Sequence, residues 1–182
     1  MSTSQRVSLG FQPLGLLASP AFSFVKRSLA GIVLTLMLTS GVAAGPFEDG
    51  GAALKRGDYA EALRLWRPLA DQGHADGQLK LGNMYGRGQG VPQDDAEAVK
   101  WYRLAAEQGD AEAQHNLGVS YHRGEGVPQD YVQAHMWFNL AASRAPASER
   151  DEAIKMRNVA ASNMTPEQIG EAQRLAQEWK PK

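Results

Sequence analysis

The chain has 182 residues, with 19 Lys+Arg against 20 Asp+Glu, no Cys, 43% apolar and 8% aromatic residues. That length fits one domain, or one domain behind a leader. The near-neutral balance argues against a nucleic-acid binder, which carries a clustered positive footprint, and zero Cys excludes disulfide staples, thiolate metal sites and thiol nucleophiles.

Residues 1–44 hold no Asp or Glu and only Arg6, Lys26 and Arg27 as charges, leaving residues 45–182 with 16 basic and 20 acidic groups. Residues 29–38 are almost unbroken apolar chain, and 39–44 are small throughout. A basic end, a short apolar stretch and small residues at Val42 and Ala44 predict a secretory signal cut after Ala44. At about 1.5 Å per residue the apolar core spans about half a bilayer, which disfavours a permanent span. An uncleaved anchor, extended by residues 40–47, is the alternative. Export to the periplasm or the medium is the expected location.

The first unit, 45–74, opens with a helix around 47–55 that contains Gly50 and Gly51 and is expected to fray. Arg56 and Gly57 then run straight into Asp58-x-x-Glu61, a capping-box pattern that starts a second helix.

The next two units reveal the architecture. Sliding the sequence by 36 lays Ala75–Asp110 on Ala111–Pro146 with identities at 17 of 36 positions. Gln78, Leu81, Gly82 and Tyr85 fall on Gln114, Leu117, Gly118 and Tyr121. Their spacing is one face of a helix. Gly82 and Gly118 each cost about 1 kcal/mol within a helix, so a partner helix must approach closely, with Ala98 and Ala134 as the expected neighbours. Gly88-x-Gly90-Val91-Pro92 and its copy at 124–128 stop the first helix. Asp94-x-x-Glu97 and Asp130-x-x-Gln133 start the second. The column Trp66, Tyr102, Phe138 and the pair Trp101, Trp137 recur at equivalent points, which predicts a continuous stacked core.

After Pro146 the pattern breaks. Ser148-Glu149-Arg150-Asp151 is read as capping a helix that bears Ile154, Val159 and Ala160. Thr165-Pro166-Glu167-Gln168 starts another, with Ile169, Ala172, Leu175, Ala176 and Trp179 on one face. Together residues 147–182 predict a capping hairpin. The fold class is therefore all-α, an α/α solenoid of antiparallel helix hairpins behind an N-terminal signal helix.

The frame of residues 75–110 resembles the Sel1-like repeat, a relative of the tetratricopeptide repeat with a longer loop between its helices. The resemblance covers 57–146, and more loosely 47–180. It implies a right-handed superhelix that serves as an adaptor in protein assemblies, often in the bacterial envelope. Some relatives cross-link each hairpin through Cys; this chain has none, so neither that stapling nor the activities attributed to that subfamily carry over.

Motifs of chemistry are weak. Ser23-x-x-Lys26 lies in the leader, and the chain contains neither Gly-x-Ser-x-Gly nor His-Glu-x-x-His. Residues 86–90 follow a helix rather than a strand and read as its termination, not as a phosphate loop. His115 and His122 share a helix face but are separated by about 10.5 Å of rise, too far for one ion. No catalytic residue, cofactor or metal is expected. The free stripe of the first helices is Glu112, His115, Val119, His122 and Arg123, with Asp76, Leu79, Asn83 and Arg87 in the preceding unit. In such a solenoid the first helices line the concave side, so these residues are expected to meet a protein or peptide partner. An envelope hydrolase acting on cell wall or carbohydrate is the alternative, and it requires two carboxylates meeting in one pocket.

Overall fold

The structure, a computed structural model, describes residues 45–182. The expected signal helix and its Ser23/Lys26 pair lie outside them. The described residues form eight α-helices and no strand: α1 (Pro46–Lys55), α2 (Tyr59–Asp71), α3 (Ala75–Arg87), α4 (Asp95–Glu107), α5 (Ala111–Arg123), α6 (Tyr131–Arg144), α7 (Ala147–Ala161) and α8 (Pro166–Glu178). Each first helix packs on its second, and each second helix packs on the next first helix, giving an α/α solenoid. Among the described residues no helix is long and apolar enough to cross a membrane.

The helix boundaries follow from backbone chemistry. Asp58, Asp94 and Asp130 accept from the backbone N–H of Glu61, Glu97 and Gln133. The reciprocal half of the expected box is missing, because Glu61 and Glu97 turn outward to Arg64 and Lys100 at 2.6 and 2.7 Å. Among the described residues the complete box forms at Thr165 and Gln168 alone; it does not close at Asp130 and Gln133, although Gln133 carries no charge either. Gly88 and Gly124 end α3 and α5 at φ 63° and 73°, a left-handed conformation that costs glycine little. The loop is then tied back by the N–H of Asp94 to the Tyr85 carbonyl and of Asp130 to the Tyr121 carbonyl, at 3.0 and 2.9 Å.

The helical glycines are explained first by aromatic rings, and at Gly82 the expected Ala98 contributes as well, its carbonyl oxygen 3.3 Å from an added Cβ. A Cβ on Gly82 would lie 2.5 Å from the Tyr102 ring, and one on Gly118 would lie 2.8 Å from the Phe138 ring. Gly50 stands in the same relation to the indole of Trp66. The first unit thus repeats the device, and α1 is a formed helix, not a frayed one. Trp66 seals it by donating from Nε1 to the Phe47 carbonyl at 3.0 Å. Trp66 and Phe138 are fully buried, while Tyr102 keeps its hydroxyl at the edge of the core.

The 36-residue register continues past the third hairpin, since α7 begins 36 residues after α5. Arg67 and Arg103 donate to the hydroxyls of Tyr85 and Tyr121 at 3.0 and 2.8 Å. At the next junction the roles are exchanged: Arg157, in the register of Tyr121, donates to Asn139, in the register of Arg103, at 3.1 Å. Helix α7 therefore sits where a fourth first helix would. It starts after Pro146 without any side-chain cap, two residues earlier than a Ser148 cap allows. Ala160 is buried and Ile154 half-buried, but Val159 is 40% exposed.

The expected C-terminal hairpin does not form. Helix α8 packs on α6, not on α7. The physical reason is the surface each offers: Trp137 and Leu140 of α6 leave apolar area that Leu175, Ala176 and Trp179 cover. Trp179 meets Trp137 edge-on at 6.3 Å, and the Arg144 guanidinium lies 4.5 Å over the Trp179 ring. The chain ends against α4, where the Lys182 N–H donates to the Glu107 carbonyl at 2.9 Å.

Candidate binding groove of the first helices

Helices α3 and α5 are joined side by side through a polar cluster. The Tyr102 hydroxyl and the Asn116 amide both donate to Asn83 Oδ1, at 2.9 and 3.3 Å. Asn83 in turn donates to Glu112 at 3.4 Å, and Lys80 approaches Glu112 at 4.0 Å. Burial pushes the Tyr102 phenol up to about 12, so it acts as a donor throughout the physiological range.

Three depressions run along this face. The first, of 170 Å³, is bordered by Leu54, Lys80, Asn83, Arg87 and Glu112. The second, of 180 Å³, is bordered by Arg87, Asp95, Tyr102, Asn116 and Val119. The third, of 260 Å³, lies between α5, α6 and α7 and is bordered by Glu112, His115, Glu149 and Glu152 over a floor of Ala141, Ala145 and Ala153. Arg87 is common to the first two, and Glu112 to the first and third. The three therefore adjoin one another along this face. A fourth depression of 420 Å³ lies beside the exposed Leu104 and shares no residue with them.

Burial holds the His115 imidazole below its usual range, with Glu152, Glu112 and Glu149 pulling the other way. Burial also raises the half-buried Asp110 carboxyl, to which Glu112 and Asp76 add. The groove is thus polar along α3 and α5 and acidic toward α7.

The structure brings Asn83, Arg87, Glu112, His115 and Val119 to the groove. It does not bring the other four expected residues there. Leu79 is 3% exposed and belongs to the core with Ala113 and Leu117. His122 packs edge-on against Tyr131 at 5.3 Å, with its Nδ1 buried. Arg123 turns to Glu125 at 3.7 Å, and Asp76 is exposed on the first turn of α3. The residues that sequence reading missed are Lys80, Tyr102, Asn116, Glu149 and Glu152. Lys80 and Asn116 carried a signal, since each stands one residue, about 100° of helix, beyond Leu79 and His115 and so borders the expected stripe, whereas nothing in the spacing pointed to Tyr102, Glu149 or Glu152.

Comparison with known proteins agrees with the geometry. The Sel1 repeat model matches residues 45–74, 75–110 and 111–145. The chain is 37% identical over 76 residues to an exopolysaccharide production negative regulator of Rhizobium leguminosarum bv. viciae, a match covering 39% of this chain and 28% of that protein. Among solved structures, a protective antigen of uropathogenic Escherichia coli strains with an SLR fold superposes with a TM-score of 0.69 at 32% identity, over 74% of this chain and 29% of that one. A Sel1 repeat protein from Oxalobacter formigenes gives a TM-score of 0.53 at 33% identity, over 60% of this chain and 86% of that one. The chain thus spans less than a third of the regulator and of the antigen. With three matched repeats and this helix order, the chain belongs to the Sel1 repeat family.

Proposed function

We propose that this chain is an interaction module that holds a protein or peptide partner along the groove of its first helices after export, without catalysing a reaction on it. The Sel1 repeat fold is in general a protein-interaction scaffold. The observation that carries the reading is the run of adjoining depressions, where Leu79, Lys80 and Asn83 of one unit give way to His115, Asn116 and Val119 of the next while the packing residues repeat. A surface released from structural duty is free to be selected for recognition. The signal-like leader and the partial match to a regulator of exopolysaccharide production favour a partner in the envelope.

Crosslinking on intact producing cells, followed by mass spectrometry of the periplasmic fraction, tests this. The triple variant Arg87→Ala, Glu112→Ala, Val119→Ala is expected to lose the crosslinked partner while its far-UV circular dichroism stays helical. Unchanged recovery would move the binding surface elsewhere on the molecule.

One observation favours a second reading, an envelope hydrolase: Glu112, Glu149 and Glu152 border one cleft with His115. A general acid, however, needs an apolar setting to stay protonated near neutral pH. Glu112 and Glu152 have side chains 50% and 55% exposed. Incubation with purified peptidoglycan or exopolysaccharide is expected to release no reducing ends; release that vanishes in Glu152→Gln would reverse the assignment.

A further inference from the structure

The cleft between α5, α6 and α7 has no counterpart at the preceding junction, and the 36-residue register shows why. There the register-equivalent space is filled by Leu79 and Leu117, which are 3% and 0% exposed, and the 180 Å³ depression of that junction lies further along α3 and α5, at Arg87 and Val119. One unit later the same two positions hold His115 and Ala153. The loss of two leucines opens 260 Å³ over a floor of Ala141, Ala145 and Ala153. Charge changes at the same junction. Ala113 and Asn116 of the filled site become Glu149 and Glu152 of the open one.

The positive N-terminal ends of α5 and α7 account for Glu112 and Glu149. They account neither for Glu152, a full turn further along, nor for the missing leucines. Among the described residues Glu149 has no cationic partner, while Glu112 and Glu152 meet Lys80 and Lys155 only at 4.0 and 3.5 Å. An apolar floor beneath three carboxylates is complementary to one kind of side chain, a long aliphatic stem ending in a cation. The volume sits just below the roughly 300–1,000 Å³ of small-molecule sites, which suits a single side chain better than a free ligand.

We propose that this cleft is a specificity pocket for a lysine or arginine side chain presented by a partner peptide. The proposal rests on the groove reading and names the chemistry of its occupant. The stem lies on the alanine floor, and the ammonium or guanidinium group donates to Glu112, Glu149 and Glu152. The rest of the peptide runs toward Arg87 and Val119.

The test uses the full chain on immobilised octapeptide pools with one fixed position, Arg, Lys, citrulline or Leu, and otherwise uncharged random residues. Retention on the Arg and Lys pools is expected to exceed that on citrulline, which keeps the shape and lacks the charge, by about 10-fold, the worth of one charge-assisted contact. The double variant Glu149→Gln, Glu152→Gln, exposed and tolerant of change, is expected to erase that preference. Ala153→Leu, which puts back one of the two missing leucines on the cleft floor, is expected to erase it too. Asp71→Asn, Asp76→Asn removes the same charge away from the cleft and is expected to keep it.

Equal retention of Arg and citrulline pools overturns the proposal, and so does a preference lost equally in the Asp71, Asp76 control. If the pools bind without a basic preference and Arg87→Ala, Val119→Ala releases them, the groove stands and the pocket alone falls. If no pool is retained, both fall.

Discussion

Gly118→Leu is expected to destabilise the fold by about 1–3 kcal/mol or more, read as a lower urea midpoint at unchanged slope. A bare helical glycine predicts the opposite sign, because replacing it with a residue of higher helix propensity gains about 0.5–1 kcal/mol. The Phe138 ring decides the outcome. It lies 2.8 Å from where the first added carbon would be, and Phe138 is fully buried with no room to retreat. Gly82 faces the Tyr102 ring at 2.5 Å in the same way. Gly51, one residue from the indole contact of Gly50, has open space at its Cβ position. Gly51→Ala is therefore the control, expected to raise stability by about 0.5–1 kcal/mol. A Gly118→Leu variant that melts at the wild-type temperature would show that the ring is not held against α5.

The same glycines show how far sequence carries the fold. Their recurrence at 36 residues was legible, and so was the need for a close neighbour. Which neighbour was not, because Ala98 and Tyr102 both face α3 and periodicity does not rank their distances. The first unit hid its glycine behind a loop shorter by four residues, so that Gly50 falls 32 before Gly82 instead of 36. Helix starts were legible at Asp58, Asp94 and Asp130 but not at Asp110, which caps α5 by accepting from the Ala113 N–H at 2.6 Å, and the return contacts of Glu61 and Glu97 were lost to cations beside them. The groove face was legible at Asn83, Arg87, Glu112, His115 and Val119, but not at position 79, which is buried. Position 79 is apolar because it fills the junction, and only its replacement by His115 one unit on marks where the filling stops. Helix α8 was legible as an element. Its destination was set by apolar surface on α6, assembled from residues far apart in the chain.

The Trp66 column offers a test of the solenoid itself. Trp66→Ala deletes a fully buried indole and its bond to the Phe47 carbonyl, a change that costs about 3–5 kcal/mol in a well-packed core. In a globular core that loss would weaken every element together. In a stacked array each hairpin is held by its neighbours only, and among the described residues α1 has α2 as its sole principal packing partner. The expected result is therefore local. Hydrogen exchange should rise by orders of magnitude in peptides spanning α1 and the start of α2, and remain protected in α5 and α6. Phe138→Ala, the same deletion where helices pack on both sides, is expected to raise exchange across α5, α6 and α7 together. The contrast follows from position, since the two rings stand in the same register and each closes on a glycine. If Trp66→Ala instead deprotects the whole chain evenly, the units fold as one cooperative block and nearest-neighbour stacking does not describe their stability.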